Sequence, residues 1–134
     1  MKLTHNEKVY YRNIYRNVSK MLEDCDLGLA IGGDNYCYKG YLERFSVMNE
    51  IFRKAGVPTI LLGCSIEPSM ITDALLVDLC NYKMITVRES ITFEALKKAG
   101  VKNVVFCPDS AFRLPVMEVV TSKEFVEKNT VGIN

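Results

Sequence analysis

A chain of 134 residues, 49% hydrophobic and 25% charged, has the size and balance of one soluble globular domain. Its formal net charge of +1, without a basic block or an acidic tail, argues against nucleic acid or an anionic membrane surface as a partner. We therefore expect a single domain over residues 1–134 that binds no nucleic acid.

Membrane, secretory and metal-binding patterns are also missing from the sequence. No apolar run approaches the roughly 18 residues of a membrane span, and the first residues have no apolar signal core. His5 is the only histidine, and the cysteines form no CxxC pair, so we expect no metal site and no disulfide framework. We expect a cytoplasmic protein with reduced and mostly buried thiols at Cys25, Cys37, Cys64, Cys80 and Cys107.

The first half of the chain predicts helices and strands in alternation. Apolar residues three and four apart predict a helix from Asn6 to about Cys25, with a buried stripe from Tyr11 to Leu22. The run LGLAI, residues 27–31, predicts a buried strand. A second helix is predicted from about Tyr41 to Ala55, where a glycine and a proline follow as stop signals. The next strand is PTILLG, residues 58–63.

The second half continues the same alternation. Ser69 is the predicted cap of a helix that runs to about Asn81, followed by the strand MITV at 84–87. A further helix ends at Gly100 and leads into the strand NVVFC at 103–107. A short helix is predicted at 122–129, and the closing TVGIN resembles the first strand of a second unit.

This alternation determines the expected fold class. Strands without polar alternation, separated by helices, are typical of a parallel sheet covered on both faces. Right-handed crossovers then give an α/β fold, a Rossmann-like parallel sheet with helices on both faces.

Polar and glycine-rich loops follow the carboxyl ends of the predicted strands. Ligands of open parallel sheets bind at this edge. Four loops qualify there: Gly32–Lys39, Cys64–Ser69, Arg88–Ser90 and Cys107–Phe112. The loops at the opposite edge are plain helix stops, so the sequence predicts a ligand site at the carboxyl edge.

The first two of these loops offer candidate binding residues. In IGGD, Gly32 and Gly33 could let the backbone approach an anion, or could merely permit a turn that Asp34 caps. Neither GxGxxG nor GK[ST] is present, so a dinucleotide site or P-loop is not supported. In GCSIEP, Ser65 and Glu67 could line a site or belong to an ordinary loop.

The other two loops carry Arg88 and Asp109. Arg88 follows a buried strand and could present its planar fork to a phosphate or carboxylate. Alternatively, it could form an ion pair with Glu89, Asp34 or Asp109 that only ties loops together. Asp109 could orient a substrate hydroxyl or pair with Arg88. Ser90 is interpreted as a helix cap rather than a nucleophile, because no histidine stands ready to activate it.

Three tyrosines, Tyr36, Tyr38 and Tyr41, follow the glycines. They could line a sugar-binding cleft, although Tyr41 is interpreted as a core residue.

Four phrases in register carry a family resemblance: AIGGDNY (30–36), LLGCSIEP (61–68), ITVRES (85–90) and CPDSAF (107–112). Together they resemble the polysaccharide pyruvyl transferase family over about residues 24–134. The resemblance implies a GT-B-like architecture of two Rossmann-like domains. It also implies transfer of an enolpyruvyl unit from phosphoenolpyruvate to a sugar of a cell-surface polysaccharide, which forms a pyruvyl ketal without a further cofactor.

The resemblance also implies roles for the candidate residues. Arg88 would grip the phosphate or carboxylate of phosphoenolpyruvate, and Asp109 would support Arg88 or an acceptor hydroxyl. The cleft would be lined by Gly32, Gly33 and Asp34 at its floor and by Ser65 and Glu67 at its wall.

The sequence departs from the family pattern in its second and fourth motifs and in length. Cys64, Glu67 and Ser110 replace the family's more usual residues, and a carboxylate at position 67 is unfavourable near an anionic donor. Residues 1–134 would be most of the N-terminal half, with entry into a second domain from about residue 130. The second domain would supply a catalytic histidine, so we expect this chain alone to be inactive and leave its catalytic residues unassigned.

Two other functions remain open. One is a nucleotide-sugar glycosyltransferase domain of the same architecture. The other is a non-catalytic, degenerate or split module that self-associates or docks to a missing second domain.

Overall fold

The computed structural model describes residues 7–31, 33–38 and 40–117. Predictions for His5, Asn6, Gly32, the helix at 122–129 and the closing strand lie outside the described residues.

Helices and strands alternate along the described chain, as the apolar periodicity predicts. The helices are α1 (Glu7–Ile14), α2 (Tyr41–Lys54), α3 (Asp73–Leu79) and α4 (Ser90–Lys98), with 3-10 turns at Val18–Met21, Pro68–Met70 and Ser110–Arg113. The strands are β1 (Gly28–Ile31), β2 (Thr59–Cys64), β3 (Met84–Val87) and β4 (Val104–Phe106).

The strands form one parallel sheet in the order β1-β2-β3-β4. Each right-handed crossover steps to the next strand in the same direction, which places α2, α3 and α4 on the same face of the sheet. The side chains between these helices and the sheet form the core, which includes Leu61, Leu75, Leu79, Ile85, Leu96 and Val104. The fold is α/β, with a Rossmann-like parallel sheet, as predicted.

The other face of the sheet is apolar and exposed. Leu29, Ile31, Leu62 and Val105 point to this side and are exposed to solvent. Ile31 and Leu62 are direct neighbours in the register of β1 and β2. The described helices cover one face only, so the expectation of helices on the second face stays a prediction.

The predicted first helix is wrong in length and in burial. The chain leaves the helix after Ile14 and forms a separate 3-10 turn, and of the predicted stripe only Leu22 is buried. The physical reason is that α1 packs on α2 rather than on the sheet. Polar contacts hold it there: Arg12 pairs with Glu50 at 2.9 Å, and Arg44 donates to the Tyr15 hydroxyl at 2.9 Å.

The predicted start of α3 is also wrong. Ser69 lies in a 3-10 turn, and Ile71 then adopts an extended backbone that interrupts the helical path. Thr72 caps α3 instead, because its hydroxyl accepts a hydrogen bond from the Leu75 amide at 3.3 Å.

The cysteines correct a further expectation. All five are free thiols, but only Cys64 is buried, so the expectation of mostly buried thiols is wrong. The exposed ones lie where elements end: Cys25 before β1, Cys80 after α3 and Cys107 after β4. None of the helices in the described ranges combines the length and apolar character needed to cross a membrane.

Candidate functional site

The carboxyl edge of the sheet brings together one polar side chain from each strand-following loop. The four are Asp34 after β1, Ser65 after β2, Arg88 after β3 and Asp109 beyond β4. They are distant in sequence and meet because parallel strands end at the same edge. Four of the predicted site residues are therefore neighbours.

Arg88 stands at the centre of this cluster. Its Nε donates to the Ser65 hydroxyl at 2.9 Å, its Nη2 to Asp34 at 2.8 Å and its Nη1 to Asp109 at 3.3 Å. The side chain retains 31% exposure. Of the two interpretations of Arg88, the ion pair that ties loops together is present in this structure. Its capacity to bind an anion stays a prediction.

The cap of α4 is Glu89, so the prediction that Ser90 is the cap is wrong. Glu89 does not pair with Arg88, because its carboxylate caps α4 by accepting from the Thr92 amide at 3.0 Å. Ser90 is the first residue of the helix and not its cap. The Glu89 side chain is long enough to reach the Thr92 amide, and its negative charge interacts favourably with the positive end of the helix dipole.

Gly33 makes room for the guanidinium. A Cβ at this position would overlap the Arg88 head group. The carbonyl of Gly33 also accepts from the Ser65 amide at 2.6 Å, which joins the first two loops. Gly33 therefore lets the Arg88 head group lie against the backbone, which neither interpretation of IGGD foresaw; approach to an anion and a turn capped by Asp34 both stay predictions.

The cluster carries a surplus of negative charge. Arg88 contributes one positive charge, and Asp34 and Asp109 contribute two negative ones, a sum of −1. The pKa of Asp109 is lowered because its carboxylate accepts a hydrogen bond from the Ala111 amide and another from Arg88. Both effects keep Asp109 ionised at neutral pH.

A cavity of about 380 Å³ opens beside Arg88 on the exposed side of the sheet. This sheet-side cavity, as we name it here, has a volume in the range of small-molecule sites. Its lining combines the polar residues Arg88, Asp109, Thr86 and Ser110 with Ile31, Leu62 and Pro108 and the small residues Gly33, Gly63 and Cys107.

A second cavity, of about 520 Å³, lies between the loops that follow β1 and β2 and the start of α4. We name it the helix-side cavity. Its lining includes Asp34, Tyr38, Ser65, Glu67 and Glu89. Glu67 is exposed here and is not brought to Arg88, in contrast to the other described candidates. The conflict between its carboxylate and an anion on Arg88 is thereby reduced.

The three tyrosines divide differently from the prediction. Tyr36 is the core residue, at 3% exposure, whereas Tyr41 is 40% exposed, so its assignment to the core is wrong. The reason is the buried hydroxyl contacts of Tyr36, which donates to Asp78 at 2.7 Å and lies 2.8 Å from the Tyr82 hydroxyl. Tyr38 is exposed and lines the helix-side cavity.

Sequence reasoning missed two buried polar residues that support these loops. Asp78 lies on the buried stripe of α3, between Leu75 and Leu79, and a carboxylate on an apolar stripe was the available signal. Thr92 is almost fully buried and binds Ile66 twice, accepting from its amide at 2.9 Å and donating to its carbonyl at 3.1 Å. It joins the loop after β2 to α4.

Comparisons with known proteins add one finding. A family model described as polysaccharide pyruvyl transferase matches residues 2–131. Searches of curated proteins and of solved structures find no significant match.

Proposed function

Because the chain belongs to the polysaccharide pyruvyl transferase family, we propose that it forms part of an enzyme that uses phosphoenolpyruvate as donor. The enzyme transfers an enolpyruvyl group to a sugar of a cell-surface polysaccharide. In the product ketal, two acceptor oxygens are bonded to the donor's central carbon, phosphate has left and the methylene carbon has gained a proton.

The observation that supports this donor is the Arg88 guanidinium at the wall of the sheet-side cavity, which we call the donor cavity from here on. Phosphoenolpyruvate carries a phosphate and a carboxylate, both of which match the planar fork of an arginine. The bond from Nε to Ser65 holds the plane of the guanidinium while its outer nitrogens face the two aspartates.

The negative surplus of the cluster means that an anionic donor has to replace a carboxylate on Arg88. Asp109 is the better candidate for displacement, since its contact of 3.3 Å is longer than the 2.8 Å contact of Asp34. Asp109 also lines the donor cavity, whereas Asp34 does not.

The helix-side cavity suits the acceptor better than the donor. Carboxylates such as Asp34 and Glu67 repel an anion but accept hydrogen bonds from sugar hydroxyls. Tyr38 adds an exposed aromatic surface. The donor would then contact Arg88 in one cavity, and the acceptor would contact Asp34 and Ser65, two of the partners of Arg88, in the other.

Thermal-shift titration tests the donor. A ligand that binds the folded chain alone raises the melting temperature by mass action, with about 2.7 kcal/mol of stabilisation at a hundredfold excess over Kd. We expect phosphoenolpyruvate to raise it by several degrees, and UDP and GDP to leave it unchanged. Arg88→Ala should abolish the shift, whereas Arg53→Ala, at an exposed arginine near the end of α2, should preserve it.

The outcomes of this titration separate the open functions. Stabilisation by a nucleotide instead would favour a nucleotide-sugar glycosyltransferase. Stabilisation by none of the three ligands would contradict the donor assignment.

Gly33→Ala provides a second test of the same site. The new methyl group would push the flexible Arg88 head group away from its place between the aspartates. We expect phosphoenolpyruvate to bind about tenfold more weakly, the loss expected for one charged hydrogen bond. Isothermal titration calorimetry measures this. Unchanged affinity in the variant would show that the position of Arg88 does not matter for the donor.

Inactivity of this chain alone remains part of the proposal. In this proposal the cluster only binds and orients the donor, and His5 is the only histidine of the sequence. We expect no phosphate release when phosphoenolpyruvate and a saccharide are incubated with residues 1–134. Measurable release would overturn this expectation.

A non-catalytic partner module is the second candidate, and one observation favours it. The exposed face of the sheet presents Leu29, Ile31 and Leu62 on β1 and β2 and Val105 on β4, as a surface for another domain or chain would. The same face could equally receive the second domain of an active enzyme, so the titration above distinguishes the two functions.

A further inference from the structure

The loop of residues 33–38, which we name the site loop, is held at the carboxyl edge by three polar contacts. The Gly33 carbonyl accepts from the Ser65 amide at 2.6 Å, and Asp34 pairs with Arg88 at 2.8 Å. The Cys37 thiol donates to the Ser65 carbonyl at 3.0 Å. All three contacts lie at the surface or are only partly buried, where water competes for the same groups.

Tyr36 connects this loop to the core. Its side chain is buried, its ring packs against Phe45 with centroids 5.0 Å apart, and its hydroxyl donates to Asp78 Oδ2 at 2.7 Å. Because the single proton of Tyr36 is directed at Asp78, Tyr82 is the donor in the 2.8 Å contact between the two phenols. Asn49 also donates to Asp78 Oδ2, at 3.2 Å.

The Tyr36 hydroxyl gives this network a directional hydrogen bond that a purely apolar side chain would lack. A phenylalanine at position 36 would fill nearly the same space, so the hydroxyl adds little to packing. What it adds is a defined bond to a carboxylate that α3 carries and α2 also contacts through Asn49. Burial raises the pKa of Tyr36, and it raises the pKa of Tyr82 to about 12, so both phenols keep their protons at neutral pH; burial also raises the pKa of Asp78.

We propose that Tyr36 and Asp78 are positioning residues for the Arg88 site. Their hydrogen bond holds the site loop in the position in which Asp34 contacts Arg88 and Gly33 leaves room for the guanidinium. The consequence for donor binding rests on the proposed function above, whereas the effect on the loop does not.

A comparison of Tyr36→Phe with Tyr82→Phe tests this proposal. Each variant loses one hydroxyl from the same buried network, but only Tyr36 belongs to the site loop. The first readout is the rate at which iodoacetamide alkylates Cys37 in the intact chain, resolved from the other cysteines by mass spectrometry. Cys37 is partly buried and bonded within the loop, so its reactivity reports loop opening without any substrate.

We expect alkylation of Cys37 to be about tenfold faster in Tyr36→Phe and unchanged in Tyr82→Phe. Cys107, which is exposed, should react at the same rate in all three proteins, and Cys64, which is buried, should stay protected. An unchanged Cys37 rate in Tyr36→Phe would overturn the proposal. An equal rise in both variants, or a parallel rise at Cys64, would also overturn it, because either would mean that the hydroxyls only stabilise the core.

The second readout is the affinity for phosphoenolpyruvate. We expect Tyr36→Phe to weaken binding about tenfold and Tyr82→Phe to leave it within about twofold of the original protein. If the unmodified chain binds no phosphoenolpyruvate, the proposed function fails, and the Cys37 rates still decide whether Tyr36 positions the loop.

Discussion

Leu61 and Leu62 are consecutive leucines of β2 with opposite environments. Leu61 is fully buried beneath the helices, at 0% exposure, whereas Leu62 on the other face of the sheet is 43% exposed. The difference arises because every described crossover steps in the same direction and places its helix on the Leu61 side. It shows that one face builds the core, while the other borders the donor cavity and remains available for another surface.

The largest expected effect is on stability and separates these two faces directly. Leu61→Ala should lower the free energy of unfolding by about 2–5 kcal/mol, because it leaves a cavity in the core. Leu62→Ala, the matched control, should lower it by less than about 1 kcal/mol. Urea denaturation measures both. Similar losses would mean that the second face is covered in solution.

A charge on the exposed face tests whether that face associates. We expect the chain to self-associate at high concentration, and Leu29→Glu to shift it to a monomer without loss of stability. Leu29 lies on the exposed face but not in the donor cavity, so anion binding should be preserved.

The control for that change is Val77→Glu on α3. Val77 is more exposed than Leu29, at 69% against 55%, but lies away from the exposed sheet face. Sedimentation velocity should show the same association for this variant as for the original chain. A clean monomer for the unmodified chain at high concentration would count against a docking role for the sheet face.

The smallest expected effect concerns the packing of α1 on α2, where Glu50 of α2 holds α1. Hydrogen bonds from Arg12 and Lys54 lower the pKa of Glu50 from 4.5 to about 2. The stabilisation is therefore fully present above about pH 4.5 and is lost as the pH falls towards 2. Since Arg12 and Lys54, the two partners of Glu50, are exposed, we expect Glu50→Gln to lower the free energy of unfolding by only about 1 kcal/mol at pH 7.

Unfolding free energies at pH 7 and near pH 2 measure this difference. The cost of Glu50→Gln should vanish at the lower pH, whereas the control Glu94→Gln, at an exposed glutamate of α4, should cost less than about 0.5 kcal/mol at pH 7. A cost that persists near pH 2 would show that Glu50 acts through packing rather than charge.

Local pattern was sufficient for much of the fold and for the location of the site. The strand MITV was predicted with its observed bounds, 84–87, and the other described strands within one residue at either end. Their order along the chain, alternating with helices, implied parallel pairing, and parallel pairing alone placed Asp34, Ser65, Arg88 and Asp109 at one edge. The match to the polysaccharide pyruvyl transferase family agrees with the resemblance carried by the four phrases at that edge.

Periodicity was less informative where the partner surface is distant in sequence. The stripe of the predicted first helix satisfies the helical spacing, but α1 packs on α2, and of the stripe only Leu22 is buried. Tyr36 and Tyr41 are equally apolar in a sequence pattern, and the buried Asp78, 42 residues from Tyr36, decides which of them enters the core.

The sequence by itself determined the α/β class, the parallel strands and the edge that collects the polar loops, because these follow from local hydrophobic spacing and chain order. Only the tertiary structure decided which face of the sheet lies open, which carboxylates hold Arg88 and that Glu67 turns to a separate cavity. Those features depend on the direction of each crossover and on side-chain contacts between residues more than twenty positions apart, which no local pattern encodes.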